Sequence, residues 1–170
     1  MSAPGYCSAP VHLLAPTMAR NRLSRAAAAA TADYHQGGTV LSVATLDDVT
    51  RLASELPEVT EGERHGNRTW FVAGKAFAWD RPFSKADIRR FGDQTPPDGP
   101  ILAVRVEDLG EKESVLAAHP EAFFTIPHFD GYSAILIQLP LVAENALREA
   151  IADGWLACAP PKLAAQYLNR

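Results

Sequence analysis

The densest group of basic side chains in this sequence lies between positions 64 and 90. It consists of Arg64, Arg68, Lys75, Arg81, Lys85, Arg89 and Arg90. Guanidinium groups make paired hydrogen bonds to phosphate and an ammonium acts as a point charge, so such a group can follow a phosphate backbone. Acidic residues are interleaved with it, and a solvated surface of mixed charge is the alternative interpretation. These acids are Glu61, Glu63, Asp80, Asp87 and Asp93.

Two residues further along the chain are candidates for contacts with a bound anion. His128 lies in a turn at residues 127–131, and its imidazole titrates near neutral pH. A histidine hydrogen-bonded to the backbone is the structural alternative. Lys162 falls in the first turn of the last expected helix, where the helix dipole disfavours a cation. That placement points to an anion contact, and tolerance of an exposed lysine is the alternative.

The sequence therefore predicts a binding surface made of basic side chains from several segments. Its members are Arg68, Lys75, Arg81, Lys85, Arg89, Arg90, His128 and Lys162. Four aromatic residues interleaved with the basic group, Trp70, Phe71, Phe77 and Trp79, are able to stack on bases. Large apolar residues that alternate along a hairpin more often form a core, and Phe71 is the one we expect to be exposed.

Motifs of covalent or nucleotide-dependent catalysis are missing from the sequence. It contains no G-x-S-x-G, no P-loop and no G-x-G-x-x-G. The two cysteines, Cys7 and Cys158, are far apart and form no Cys-x-x-Cys pair, which fits a reducing cytoplasm. Acidic residues at 107–113 are interpreted as a helix cap, with metal binding as the alternative. We expect a non-enzymatic domain with no cofactor, no metal and no catalytic residue.

Composition divides the 170-residue chain into two parts. Residues 1–44 are rich in Ala, Pro and Ser, which predicts a disordered tail or a wrongly assigned start, with Met18 or Val40 as the true one. Residues 45–170 predict one domain that carries 13 Lys and Arg against 19 Asp and Glu, a net charge of −6. An acidic domain needs a local basic patch to bind nucleic acid. No apolar stretch approaches the roughly 18 residues of a membrane helix.

The elements that must position the basic group begin with a hairpin. Strands at residues 69–73 and 75–80 alternate large with small or polar side chains, and Gly74 supplies the positive φ of the turn. A capping sequence, Thr45-x-x-Asp48, opens a helix before it, and a polar loop is expected at 58–67. A single helical turn is expected at 85–90.

The second half of the chain predicts further strands and helices. Strands are expected at 101–106, 122–126 and 132–139, and helices at 108–118, after Pro140 and from Pro161. The helix after Pro140 is expected to stop at Gly154. The order α-β-β-β-α-β-β-α-α indicates an α+β fold with an antiparallel sheet of about five strands and helices on one face.

Several segments together resemble the MmcQ/YjbR family of small bacterial proteins. They are LPEVTE at 56–61, VAGKAFAW at 72–79, FTIPHFDGY at 124–132, and Trp155 followed by APPKL at 159–163. The resemblance covers residues 45–170. It implies a frataxin-like (CyaY-like) α+β fold and DNA binding through two hairpin loops that flank a groove.

The sequence thus favours a small cytoplasmic domain that binds DNA weakly through the hairpin and its basic loop. Two alternatives remain open: a protein–protein interaction module, and a small-ligand binder with a cleft near His128. We expect a monomer or weak dimer that does not enter membranes.

Overall fold

A computed structural model describes residues 43–169. The predicted tail, except for its last two positions, lies outside the described residues. The helices are α1 (Leu46–Ser54), α2 (Lys85–Phe91), α3 (Leu109–Ala118), α4 (Glu144–Cys158) and α5 (Pro161–Leu168). The strands are β1 (Val59–Arg64), β2 (Asn67–Val72), β3 (Lys75–Asp80), β4 (Ile101–Arg105), β5 (Phe123–Phe124) and β6 (Ala134–Gln138).

The strands form one sheet in the order β1-β2-β3-β4-β6-β5, and every neighbouring pair is antiparallel. The predicted α+β class is confirmed. The predicted cap of α1 is also present, since the Thr45 hydroxyl accepts from the Asp48 N–H and the Asp48 carboxylate accepts from the Thr45 N–H. Gly74 has the expected positive φ of 74°, and Ala73 before it has 48°.

Strand β1 replaces the polar loop that the sequence predicted at residues 58–67. It pairs with β2 over its whole length, from Val59 opposite Val72 to Arg64 opposite Asn67. The connecting residues His65 and Gly66 both have positive φ, 54° and 79°, as a two-residue hairpin turn requires. Because β1 is an edge strand with mostly exposed side chains, it lacks the apolar alternation that marks a strand in sequence.

The helix-covered face of the sheet holds the larger core. Side chains of α1 and α4, such as Leu52, Leu147 and Trp155, pack on Val72 and Val104 of the strands. Helix α3 adds Val115, and α5 packs against its rim. This arrangement confirms that most helices gather on one face.

The opposite face is covered only in part. A second apolar cluster forms where Ile101 and Ala103 of β4 and Leu136 of β6 contact Ile126 and Phe129. The last two belong to the 3-10 turn Pro127–Phe129 and its N-cap. Helix α2 closes this cluster through Phe91. Strands β2 and β3 extend beyond this cover, so part of their outer face stays open.

An irregularity in β3 decides which aromatic residues face each side. Trp70 pairs with Ala78, but the next residue, Phe71, pairs with Ala76, so Phe77 is the extra residue of a bulge. Phe77 and Ala78 consequently both enter the larger core, while Trp79 joins the opposite face. Without the bulge, strict alternation would put Phe77 and Trp79 on the same side.

Helix α4 does not stop at Gly154, as the sequence predicted, but continues to Cys158. A Cβ at Gly154 would lie 2.5 Å from Val104 Cγ1, 3.2 Å from the Arg105 carbonyl oxygen and 3.3 Å from the Phe77 carbonyl oxygen. The glycine therefore serves close contact between α4 and the sheet rather than a helix end.

We expect Gly154→Ala to lower the free energy of unfolding by about 1–2 kcal/mol, because overpacking against backbone exceeds the better helix propensity of alanine. Urea unfolding followed by circular dichroism measures the change. The matched control is Gly110→Ala in α3, where the Cβ would meet only the Asp108 carboxylate, at 3.3 Å. A Gly154→Ala protein as stable as the wild type would contradict this role.

Candidate functional site

A groove of about 1450 Å³ lies on the open face, between the hairpins of β1–β3 and the cover formed by α2 and the 3-10 turn. It runs along β2 from Arg64 and His65 at one end to Gly74 and Lys75 at the other. Six residues of strand correspond to a length of roughly 20 Å.

The charge of the groove differs from that of the domain around it. Its lining holds five Lys and Arg but three Asp and Glu, whereas residues 45–170 carry net negative charge. The basic residues are Arg64, Lys75, Arg81, Arg90 and Arg105, and the acidic ones are Asp87, Glu107 and Asp130. The groove is thus a local basic patch of the kind that the sequence argument required.

Three aromatic rings form the floor of the groove. The ring centroids of Trp79 and Phe129 lie 6.4 Å apart, those of Trp79 and Tyr132 6.4 Å, and those of Phe129 and Tyr132 5.7 Å. Tyr132 keeps 41% of its surface exposed. Rings at these separations attract one another edge-to-face and when offset, so the three rings hold one another in place. Phe129 is only 4% exposed, so Tyr132 and the half-buried Trp79 are the rings that a ligand can reach.

Lys112 of α3 holds the segment that carries two of these rings. Its ammonium donates to the carbonyl oxygens of Phe129, at 2.7 Å, and of Tyr132, at 3.2 Å, and only 6% of the residue is exposed. Burial lowers the pKa of Lys112, and the nearby Asp130 carboxylate opposes that shift. Lys112 therefore fixes the backbone on both sides of the exposed turn at Asp130 and Gly131.

Asp87 of α2 organises the basic residues at one side of the groove. Its carboxylate accepts from Arg81 at 2.9 Å and from Arg90 at 3.3 Å, and it caps α2 through Ser84. Burial alone would raise the pKa of Asp87, but the hydrogen bonds from Ser84 and Arg81 outweigh burial and hold that pKa well below its usual range. Arg81 also lies over the Phe129 ring at 5.7 Å, so it is held in place from two directions.

Arg105 and Lys75 lie at the other side of the groove, near the end of α4. The guanidinium of Arg105 is 4.6 Å from the centroid of the Tyr132 ring. Both cations act on the Cys158 thiol, whose pKa burial raises and whose anion they favour. Among residues 43–169 neither cation has a carboxylate within 4 Å. They are the groove cations most available to a ligand, together with Arg64.

The groove brings together four of the eight predicted site residues. Lys75, Arg81, Arg90 and His128 line it. Among these, Arg81 and Arg90 share the Asp87 carboxylate, and His128 lies edge-on to Phe129 with ring centroids 5.9 Å apart.

The other four predicted residues lie elsewhere. Arg68 faces α1 on the helix-covered side, where it pairs with Asp47 and Glu61. Lys85 and Arg89 are exposed on α2, and Lys162 is exposed on the first turn of α5. None of the four lines the groove.

Arg105, like Tyr132 of the groove floor, is a groove residue that the sequence argument missed. Arg105 ends the apolar strand β4, in which Ile101, Ala103 and Arg105 share one face. The two-residue period of a strand therefore predicts from the sequence that Arg105 lies on that face. Trp70 and Phe77 are buried in the core, as expected, whereas Phe71, which was expected to be exposed, is half-buried. Trp79 is half-buried too and belongs to the groove floor.

Two kinds of arrangement are not found among residues 43–169. No group of three or more His, Cys, Asp or Glu side chains is placed to hold a metal ion. No helix in this part of the chain has both the length and the apolar composition that crossing a bilayer demands. The groove offers cations and rings, which suit binding of an anion with aromatic groups.

The chain belongs to the YjbR family, whose family model matches residues 54–157. It is 41% identical over 129 residues to the uncharacterized proteins Rv2570 of Mycobacterium tuberculosis and Mb2600 of Mycobacterium bovis. Those alignments cover 74% of this chain and 97% of each relative. The crystal structure of protein DR2400 of Deinococcus radiodurans, with a DUF419 domain, is similar with a TM-score of 0.49 and 21% identity, over 67% of this chain and 78% of that one.

Lys112→Met should increase the mobility of residues 129–132 beside the groove without abolishing the fold. The free energy of unfolding should fall by about 1–3 kcal/mol, because two buried carbonyl groups lose a charged donor. Amide hydrogen exchange should accelerate at Asp130 and Tyr132, whose N–H groups bond to Pro127 and Phe129 within the held segment.

Lys85→Met, the same substitution at an exposed lysine, is the matched control and should change neither quantity. Unchanged exchange at residues 130–132 in Lys112→Met would show that Lys112 does not position this segment.

Proposed function

We propose that this protein binds single-stranded DNA in the groove of the open sheet face and does no chemistry on it. The observation that supports this most strongly is the three-ring floor bordered by cations in a domain of net negative charge. Proteins that bind single strands combine stacking rings with a basic channel for the phosphates, because every base offers a flat face.

A single strand fits this site better than a duplex. Paired bases are stacked on one another and leave only phosphates and groove edges for a protein, so the Trp79 and Tyr132 rings would find no flat partner. A length of roughly 20 Å suits a few nucleotides. The acidic remainder of the domain repels phosphates, so we expect a dissociation constant of about 10⁻⁴ to 10⁻⁶ M at physiological salt.

Fluorescence anisotropy of a labelled (dT)12 strand with the full chain tests the proposal. If Arg64, Lys75 and Arg105 each neutralise one phosphate, binding should weaken about 20-fold between 50 and 200 mM salt. A 12-base-pair duplex should bind more weakly than the strand at both salt concentrations. No binding of the strand at 50 mM salt would contradict the proposal.

Two pairs of variants test whether the strand binds in the groove. Arg64→Ala should weaken (dT)12 binding severalfold, whereas Arg89→Ala, which removes the same charge outside the groove, should not. Tyr132→Ala should weaken (dT)12 binding about tenfold, because a stacking ring is lost. Leu168→Ala on α5, which also truncates an exposed apolar side chain, is the matched control and should leave binding unchanged. Equal losses within each pair would show general charge attraction or instability instead of binding in the groove.

A further inference from the structure

The two sides of the groove differ in whether their basic side chains are paired with carboxylates. On the α2 side, the Asp87 carboxylate lies 2.9 Å from Arg81 and 3.3 Å from Arg90, and Asp87 is only 3% exposed. On the α4 side, Lys75 and Arg105 face no carboxylate within 4 Å in the described part of the chain. An anionic group of a ligand therefore gains most at Lys75 and Arg105.

The aromatic surface beside Arg105 is also the most accessible one in the groove. Arg105 lies 4.6 Å above the Tyr132 ring, and Tyr132 is 41% exposed. The Trp79 ring is next to it, with centroids 6.4 Å apart. A guanidinium that rests on a ring still points its N–H groups outward in the guanidinium plane, where they can bond an oxyanion in pairs. Arg105 and the exposed Tyr132 ring are thus in contact, and Lys75 lines the same groove.

A second role for the two cations is compensation of the α4 dipole. They act on Cys158, the last residue of α4, and a helix C-terminus carries partial negative charge that cations stabilise. This role would affect folding stability and would leave ligand binding unchanged. It also gives no reason for Arg105 to lie over Tyr132 on the open face.

We infer that Lys75 and Arg105 form a phosphate subsite, and that Tyr132 with Trp79 takes the base attached to that phosphate. The recognised chemistry is a nucleoside monophosphate unit. It can come from within a DNA strand, in which case the inference rests on the proposed function, or from a free nucleotide. On a strand, this subsite fixes one phosphate, while the Arg81 and Arg90 side contributes less.

The indole N–H signals of the ¹⁵N-labelled full chain report on this subsite directly. The sequence has three tryptophans. Trp70 Nε1 donates to Thr50 Oγ1 at 3.2 Å, and Trp155 Nε1 donates to the Pro57 carbonyl oxygen at 3.0 Å, both away from the groove. A ligand in the subsite should shift the Trp79 signal and leave these two in place. The titrants are inorganic phosphate, thymidine, thymidine 5′-monophosphate and (dT)8.

Thymidine 5′-monophosphate and (dT)8 should shift the Trp79 signal, and thymidine and inorganic phosphate should each bind at least about tenfold more weakly than the nucleotide. Lys75→Ala and Arg105→Ala should each weaken nucleotide binding about tenfold. Arg89→Ala, the charge-matched control, should bind like the wild type. Lys75→Gln serves as a second variant at the exposed hairpin position, where a change leaves the core untouched.

The remaining outcomes separate this inference from the proposed function. Binding of (dT)8 that is unchanged in Lys75→Ala and Arg105→Ala overturns the subsite and leaves strand binding intact. A Trp79 shift with the nucleotide but none with (dT)8 supports the subsite and overturns strand binding. No Trp79 shift with either overturns both. Lower melting temperatures with unchanged nucleotide binding would assign the two cations to the α4 dipole and overturn the subsite.

Discussion

The bulge at Phe77 is the constraint on which the rest of the groove depends. By adding one residue to β3, it lets Phe77 and Ala78 both enter the core beneath α4 and turns Trp79 to the opposite face. Trp79 then meets Phe129 and Tyr132, and the groove acquires a ring floor. Without the bulge, Phe77 and Trp79 would lie on the same face, so either the core would lose the Phe77 ring or the open face would lose the Trp79 ring.

The positive charge of the groove results from where the acidic side chains form ion pairs. Asp47 and Glu61 pair with Arg68 on the helix-covered side, and Asp87 is buried between two arginines on the α2 side. These acids contribute to the net negative charge of the domain but do not reach the α4 end of the groove. A net charge therefore says little about one surface when ion pairs are distributed unevenly.

Local chemistry made much of the fold predictable from the sequence, because caps and turns depend on a few adjacent residues. The Thr45 cap and the Gly74 turn are examples. The extent of α4 past Gly154 was not predictable in this way, because the glycine is required by close contact with Val104, which is distant in sequence. The site was only half predictable: basic residues were visible in sequence, but pairing with distant acids removed Arg68 from the groove.

Hydrogen–deuterium exchange of the full chain, with and without saturating (dT)12, tests most directly whether the open sheet face is the binding surface. The account predicts slower exchange in the segments 64–67, 74–76 and 128–133, whose residues, apart from Gly66, line the groove. Exchange on the outer surface of α1 and in α5 should stay as it is. Protection confined to α1 or α5, or no protection at saturation, would contradict the account.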